Sequence, residues 1–121
     1  MLRKLTMAVI MAAAMASGTA AYAHPALKTA SPSANGVAGP ALKEIRLSFS
    51  ESVVPVLSGA KVTDLTGKPI ATAKPFSDAK NKKILVVPLK AKLTPGAYKV
   101  AWFAVASDTH RVKGNYAFTV R

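Results

Sequence analysis

The chain holds only two histidines, His24 and His110, and the neighbours of each make it a chemical candidate. His110 closes Ser107-Asp108-Thr109-His110, which sets a carboxylate and an imidazole two residues apart. In extended chain, residues i and i+2 share a face, so this pair can converge on one cation. Taken alone, the pair reads more readily as a surface histidine beside a carboxylate. His24 changes that weighing, because the residues before it read as a leader that is cut away. At a newly made terminus, His24 offers its α-amine and its ring Nδ1 together, and the two close a chelate on one ion. The amine's ordinary pKa of about 8 lets a metal displace its proton at neutral pH. Pro25 has no backbone N–H to surrender, so the ion cannot continue along successive amides and must find donors elsewhere in the fold. Asp108 and His110 are the candidates. A set rich in nitrogen with one carboxylate suits the tetragonal preference of Cu(II), one ion per chain, with Zn(II) a weaker occupant. Soft donors for Cu(I) are missing: there is no cysteine, and Met1, Met7, Met11 and Met15 all precede His24.

The site therefore depends on processing. Met1-Leu2-Arg3-Lys4 is a short positive start, an apolar stretch rich in Ala and Met runs from about Leu5 to Ala16, and Ala21-Tyr22-Ala23 supplies the small residues that a signal peptidase reads. The apolar run is too short for a bilayer, which needs about 20 residues. The reading is a cleaved signal peptide over residues 1–23 and a single exported, periplasmic domain over residues 24–121. A cut one residue away would remove the chelate. Loss of 23 residues from 121 leaves 98, enough for one domain to hold a core without disulfides or other staples. No later stretch is long and apolar enough to cross a membrane as a helix.

Two of the 17 Lys and Arg residues, Arg3 and Lys4, fall in the leader, so a formal charge of +12 becomes +10 on the remainder. No nucleic-acid motif or base-stacking platform accompanies that charge. A basic surface can dock on anionic lipid head groups or an acidic protein. The lysines are spread along the sequence, however, which favours a solvated, lysine-coated surface. Lys80, Lys82 and Lys83 make the only dense group and read as a loop tip.

The elements that must position these residues are strands. In Leu42 to Ser50, Ile45, Leu47 and Phe49 face one way and Glu44, Arg46 and Ser48 the other. Further strands are expected over Ala26 to Ala30, Gly59 to Leu65, Ile70 to Lys74, Ile84 to Leu89, Ala97 to Ala106 and Asn115 to Val120. Turn signals such as Ser31-Pro32-Ser33-Ala34-Asn35-Gly36 and Thr66-Gly67-Lys68-Pro69 separate them. About seven strands and no convincing helix predict an all-β Greek-key sandwich. Leu93-Thr94-Pro95-Gly96-Ala97-Tyr98 resembles the tyrosine corner of immunoglobulin-like folds, in which the hydroxyl ties a turn to the backbone. Trp102, Phe103, Tyr116 and Phe118 are expected in the core.

Together these residues resemble the CopC family of periplasmic copper-resistance proteins. The resemblance spans residues 24–121. It is carried by His24-Pro25, Leu47-Ser48-Phe49-Ser50-Glu51, Ser58-Gly59-Ala60-Lys61, Pro95-Gly96-Ala97-Tyr98-Lys99-Val100, Ser107-Asp108-Thr109-His110, Gly114 and Phe118-Thr119-Val120. It implies a seven-stranded, cupredoxin-like Greek-key barrel with Cu(II) at one end. In that picture His24 gives amine and imidazole, His110 a second imidazole and Asp108 a carboxylate oxygen. Glu51 matches a family acid near the metal, which implies a hydrogen-bond acceptor for the amine or an imidazole; an exposed loop acid fits its Ser-Glu-Ser turn equally well. The methionine-rich Cu(I) loop of some members is missing. The family often works beside an inner-membrane copper transporter, here implied as a separate partner. The expected function is a non-enzymatic copper carrier or buffer in copper homeostasis and resistance. Two alternatives are a copper-dependent oxidative polysaccharide-cleaving enzyme, which shares the N-terminal histidine, and a metal-free docking module on the same sandwich.

Overall fold

The structure, a computed structural model, describes residues 25–121. The expected signal peptide and His24 lie outside the described residues. The alternation of the central run sets the architecture. Strand β3 (Glu44–Phe49) buries Ile45, Leu47 and Phe49, each at most 2 % exposed, and turns Glu44, Arg46 and Ser48 outward. Side chains alternate across a strand, so the apolar stripe seals against a second layer while the polar stripe stays wet. Strand β7 (Ile84–Pro88) pairs antiparallel with β3 and adds Leu85 and Val87 to the inner face. With β1 (Leu27–Ser31) and β6 (Phe76–Ser77) these make a four-stranded sheet in the order β1-β3-β7-β6.

The facing sheet has five strands, ordered as β2 (Val37–Ala38), β9 (Arg111–Val120), β8 (Gly96–Val105), β4 (Gly59–Asp64) and β5 (Pro69–Ile70). Strand β2 joins β9 in parallel; the other pairings are antiparallel. Val62, Tyr98, Val100, Ala104, Phe118 and Val120 point inward from this sheet and close the core. The chain crosses to the second sheet for β2 and back for β3, then changes sheet between β3 and β4, between β5 and β6 and between β7 and β8, which gives the all-β Greek-key sandwich. The tyrosine corner forms: Tyr98 is 4 % exposed and its hydroxyl donates to the Thr94 carbonyl at 2.7 Å.

Nine strands form among the described residues where about seven were expected. Strands β2 and β6 are two-residue pairings at sheet edges, too short for alternation to mark them. The strand expected over 70–74 shrinks to β5, because beyond Ile70 the chain crosses to the other sheet, where Thr72 bridges Leu89 and Ala73 donates to the Pro88 carbonyl at 2.9 Å. Strand β9 begins four residues earlier than expected, since Arg111 to Gly114 carry too few apolar side chains to show the period. One core expectation is corrected. Phe103 follows the inward-leaning Trp102, so alternation turns it to the outer face, where it lies over Gly59 beneath the Arg111 guanidinium. Phe118 is buried, and Trp102 and Tyr116 are half-buried against the core.

Candidate metal centre

Two clasps bring separate parts of the chain to one end of the sandwich. At the first, the Ala26 N–H donates to Ser50 Oγ at 2.9 Å and the Ser50 N–H donates back to the Ala26 carbonyl at 2.8 Å. Pro25, just before it, is fully buried. At the second clasp, Val53 bridges Ala106, and the Val54 N–H donates to the Val105 carbonyl at 2.8 Å. Buried Ser58 locks this joint, donating from Oγ to the Val54 carbonyl at 2.8 Å and accepting the Val105 N–H at 3.0 Å. Val53 lies three positions after Ser50, a reach of about 10 Å at most. Ala26 and the far end of β8 are therefore held by the same crossover.

The turn from β8 into β9 carries Asp108 and His110. Both are surface residues, and the structure brings them together: Asp108 Oδ2 lies 3.0 Å from His110 Nδ1, and Oδ1 accepts the His110 backbone N–H at 3.1 Å. The route differs from the extended geometry expected of an i, i+2 pair. Thr109 has φ +71°, a left-handed conformation that is costly for a β-branched residue. The Thr109 N–H donates to the Ala106 carbonyl at 2.9 Å and the Ala106 N–H to the His110 carbonyl at 3.2 Å, which hold that kink in place. The carboxylate thus wraps onto the next-but-one residue. Hydrogen bonds from the His110 ring, and secondarily from its backbone N–H, hold the Asp108 carboxyl below the usual aspartate range.

This pairing has a chemical consequence. With Nδ1 turned to the carboxylate, the pair would fix the orientation and tautomer of the ring for a metal bound through Nε2. Among the described residues, no third His, Cys, Asp or Glu joins Asp108 and His110. Glu51 lies half-buried in the crossover between the two clasps and is not part of their group. His24, which the reading needs as the principal ligand, lies outside the described residues, one position before buried Pro25. The Ser50–Ala26 clasp is what sequence reasoning missed. Its only trace was the serine beside Glu51, a type that readily hydrogen-bonds to backbone.

A two-sheet Greek-key sandwich, with a carboxylate–imidazole turn beside the start of its domain, is the class that fold and site define. Residues 27–121 match the CopC domain, and the chain belongs to that family. It is 39 % identical to copper resistance protein C of Xanthomonas campestris pv. juglandis, over 98 % of this chain and 97 % of that one. Among solved structures it is similar to PcoC, a methionine-rich copper resistance protein from Escherichia coli, with TM-score 0.73 and 39 % identity over 82 % of this chain and 100 % of that one. It is similar also to CopC from Methylosinus trichosporium OB3b, with TM-score 0.73 and 33 % identity over 80 % of this chain and 93 % of that one.

Proposed function

We propose that this chain is a periplasmic carrier or buffer of Cu(II), cut after Ala23 and holding one ion as cargo at the end where its two clasps meet. His24 supplies amine and ring nitrogen and His110 supplies Nε2, while Asp108, on the Nδ1 side of that ring, steadies it there and gives the ion a carboxylate oxygen only once that hydrogen bond is released. The observation that carries the reading is the shared end: Ala26 and the Asp108–His110 turn are bound to one short crossover. Donor chemistry agrees, since residues 24–121 contain no sulfur and the nitrogen-rich set prefers Cu(II). Glu51, on the same crossover, is suited to accept a hydrogen bond from the amine or an imidazole N–H. Names borne by relatives, copper resistance protein C and the copper transport protein CutJ of Bacillus subtilis, support a role in copper handling; a separate inner-membrane copper transporter as partner is what the family resemblance implies.

The role is that of a carrier and not of a catalyst. Phe76 and Phe103 stand on the outer faces of opposite sheets, so they cannot form one flat platform for a polysaccharide. The deciding experiment titrates residues 24–121 with Cu(II) against a competing chelator and records the electron spin resonance spectrum. One tetragonal, nitrogen-rich ion per chain is expected. A spectrum that His24→Ala leaves unchanged would overturn the assignment.

A further inference from the structure

The outer face of the five-stranded sheet gathers lysines that the sequence scatters. Register places Lys61, Ala101 and Asn115 in one row across β4, β8 and β9, with Thr63, Lys99 and Ala117 beside it on one side and Gly59, Phe103 and Lys113 on the other. Arg111, opposite Val105, follows in the next row. Paired residues share a face, and Lys61, Lys99, Arg111 and Lys113 are all exposed. From strand spacing and rise, the four cations occupy a patch of about 10 by 20 Å.

No acid shares that face. Glu44 and Asp78 both bind Arg46 on the outside of the other sheet. Asp64 is folded into the hairpin after β4, where it accepts the backbone N–H groups of Thr66 and Lys68. Asp108 is held by His110, and Glu51 lies in the crossover. One sheet is therefore neutralised on its outside, while Lys61, Lys99 and Lys113 form no ion pair among the described residues. Between the cations the surface is low: Ala101, Asn115 and Ala117, with Phe103 laid so close over Gly59 that a Cβ there would meet its ring at 3.1 Å. The Arg111 guanidinium covers the Phe103 ring, 5.0 Å from its centroid.

We propose that this face docks the protein on an anionic lipid surface. A shallow depression rimmed by Lys61, Lys113 and Arg111, lysines on flexible stems and no neutralising acid suit mobile phosphate head groups. Each such lysine strengthens adsorption about fivefold. An acidic protein partner is the poorer match, because stable protein interfaces deplete lysine at their centre and rely on aromatic anchors seated in pockets. Here the one aromatic of the face is already covered. The turn bearing Asp108 and His110 runs straight into Arg111, so a docked molecule holds that turn at the lipid surface. The docking itself does not depend on copper.

The test uses copper-free residues 24–121 and phosphatidylcholine vesicles with or without about 30 % phosphatidylglycerol, the bound fraction being read by sedimentation. Binding is expected only to the anionic vesicles, with loss as salt rises toward about 0.5 M and screening shortens. The triple variant Lys61→Gln, Lys99→Gln, Lys113→Gln should bind at least roughly tenfold more weakly. The control Lys43→Gln, Lys90→Gln, Lys92→Gln removes the same charge around one cavity that shares no residue with this face and should keep most of the binding. Urea midpoints establish that both variants fold. Equal losses would assign adsorption to net charge alone and overturn the proposal. Failure of the unaltered protein to bind anionic vesicles would overturn it too, and retention on polyglutamate in that case would give the face to an acidic polypeptide.

Discussion

At the scale of single residues, the Asp108–His110 pair separates holding a ligand from being one. Both Asp108 oxygens are engaged by His110, one through the ring and one through the backbone. Asp108→Asn keeps the volume but loses the charge that favours the Nδ1–H tautomer. Cu(II) affinity, read by chelator competition, should fall about 10- to 100-fold, as it does when a metal-bound histidine loses its carboxylate partner. The urea midpoint should hardly move, because both side chains stand at the surface. An unchanged affinity would remove Asp108 from the site. The pair was legible in the sequence as a carboxylate two positions before an imidazole. The left-handed Thr109 that brings the two together was not, since nothing in that residue's type announces positive φ.

At the scale of elements, close approach and local ties set the stability. Trp102 packs edge-on to Phe49, with ring centroids 5.5 Å apart, and a Cβ on Gly114 would stand 2.6 Å from its Cζ2. Gly114→Ala must therefore shift the single tryptophan, and it should cost about 1–3 kcal/mol in urea unfolding together with an altered near-ultraviolet signal. Tyr98→Phe removes the corner's 2.7 Å bond to the Thr94 carbonyl and should cost about 1 kcal/mol by the same measurement. Charge acts on the other sheet, where hydrogen bonding to the Arg46 guanidinium, more than that to the Lys80 N–H, holds the Asp78 carboxyl below its ordinary value. A depressed carboxylate pKa gives stability that is present above the unfolded value and lost as pH falls through the folded one. Urea midpoints should thus drop between about pH 5 and 2, and Asp78→Asn should flatten that acid limb. Alternation made β3 and the core of β8 readable, and the Pro-Gly-Ala-Tyr run gave away the corner. Strands β2 and β6 were unreadable, since two-residue pairings depend on what lies beside them and not on their own period.

At the scale of the whole molecule, the fold turns distances along the sequence into neighbourhoods. Lysines at 61, 99 and 113 look dispersed until register stacks them on one face, and Ala26 is 82 positions from Asp108 until Ser50 and Val53 fasten their surroundings together. At the proposed site, binding is conditional on a covalent event. While residues 1–23 remain attached, the nitrogen of His24 is an amide and cannot complete a chelate through a terminal amine. The uncut chain should then hold Cu(II) no better than residues 24–121 carrying His24→Ala. Thermal melts can tell them apart, because an ion bound only by the folded state adds about 2.7 kcal/mol when present at 100 times its dissociation constant. For a domain of this length that is a rise on the order of 10 °C. The rise should appear only in the cut, unaltered protein, and it should fade in acid as the amine and the two imidazoles take up protons in place of the metal. An equal rise in the uncut chain would mean that copper is held by side chains alone, and the requirement for a new terminus would fall.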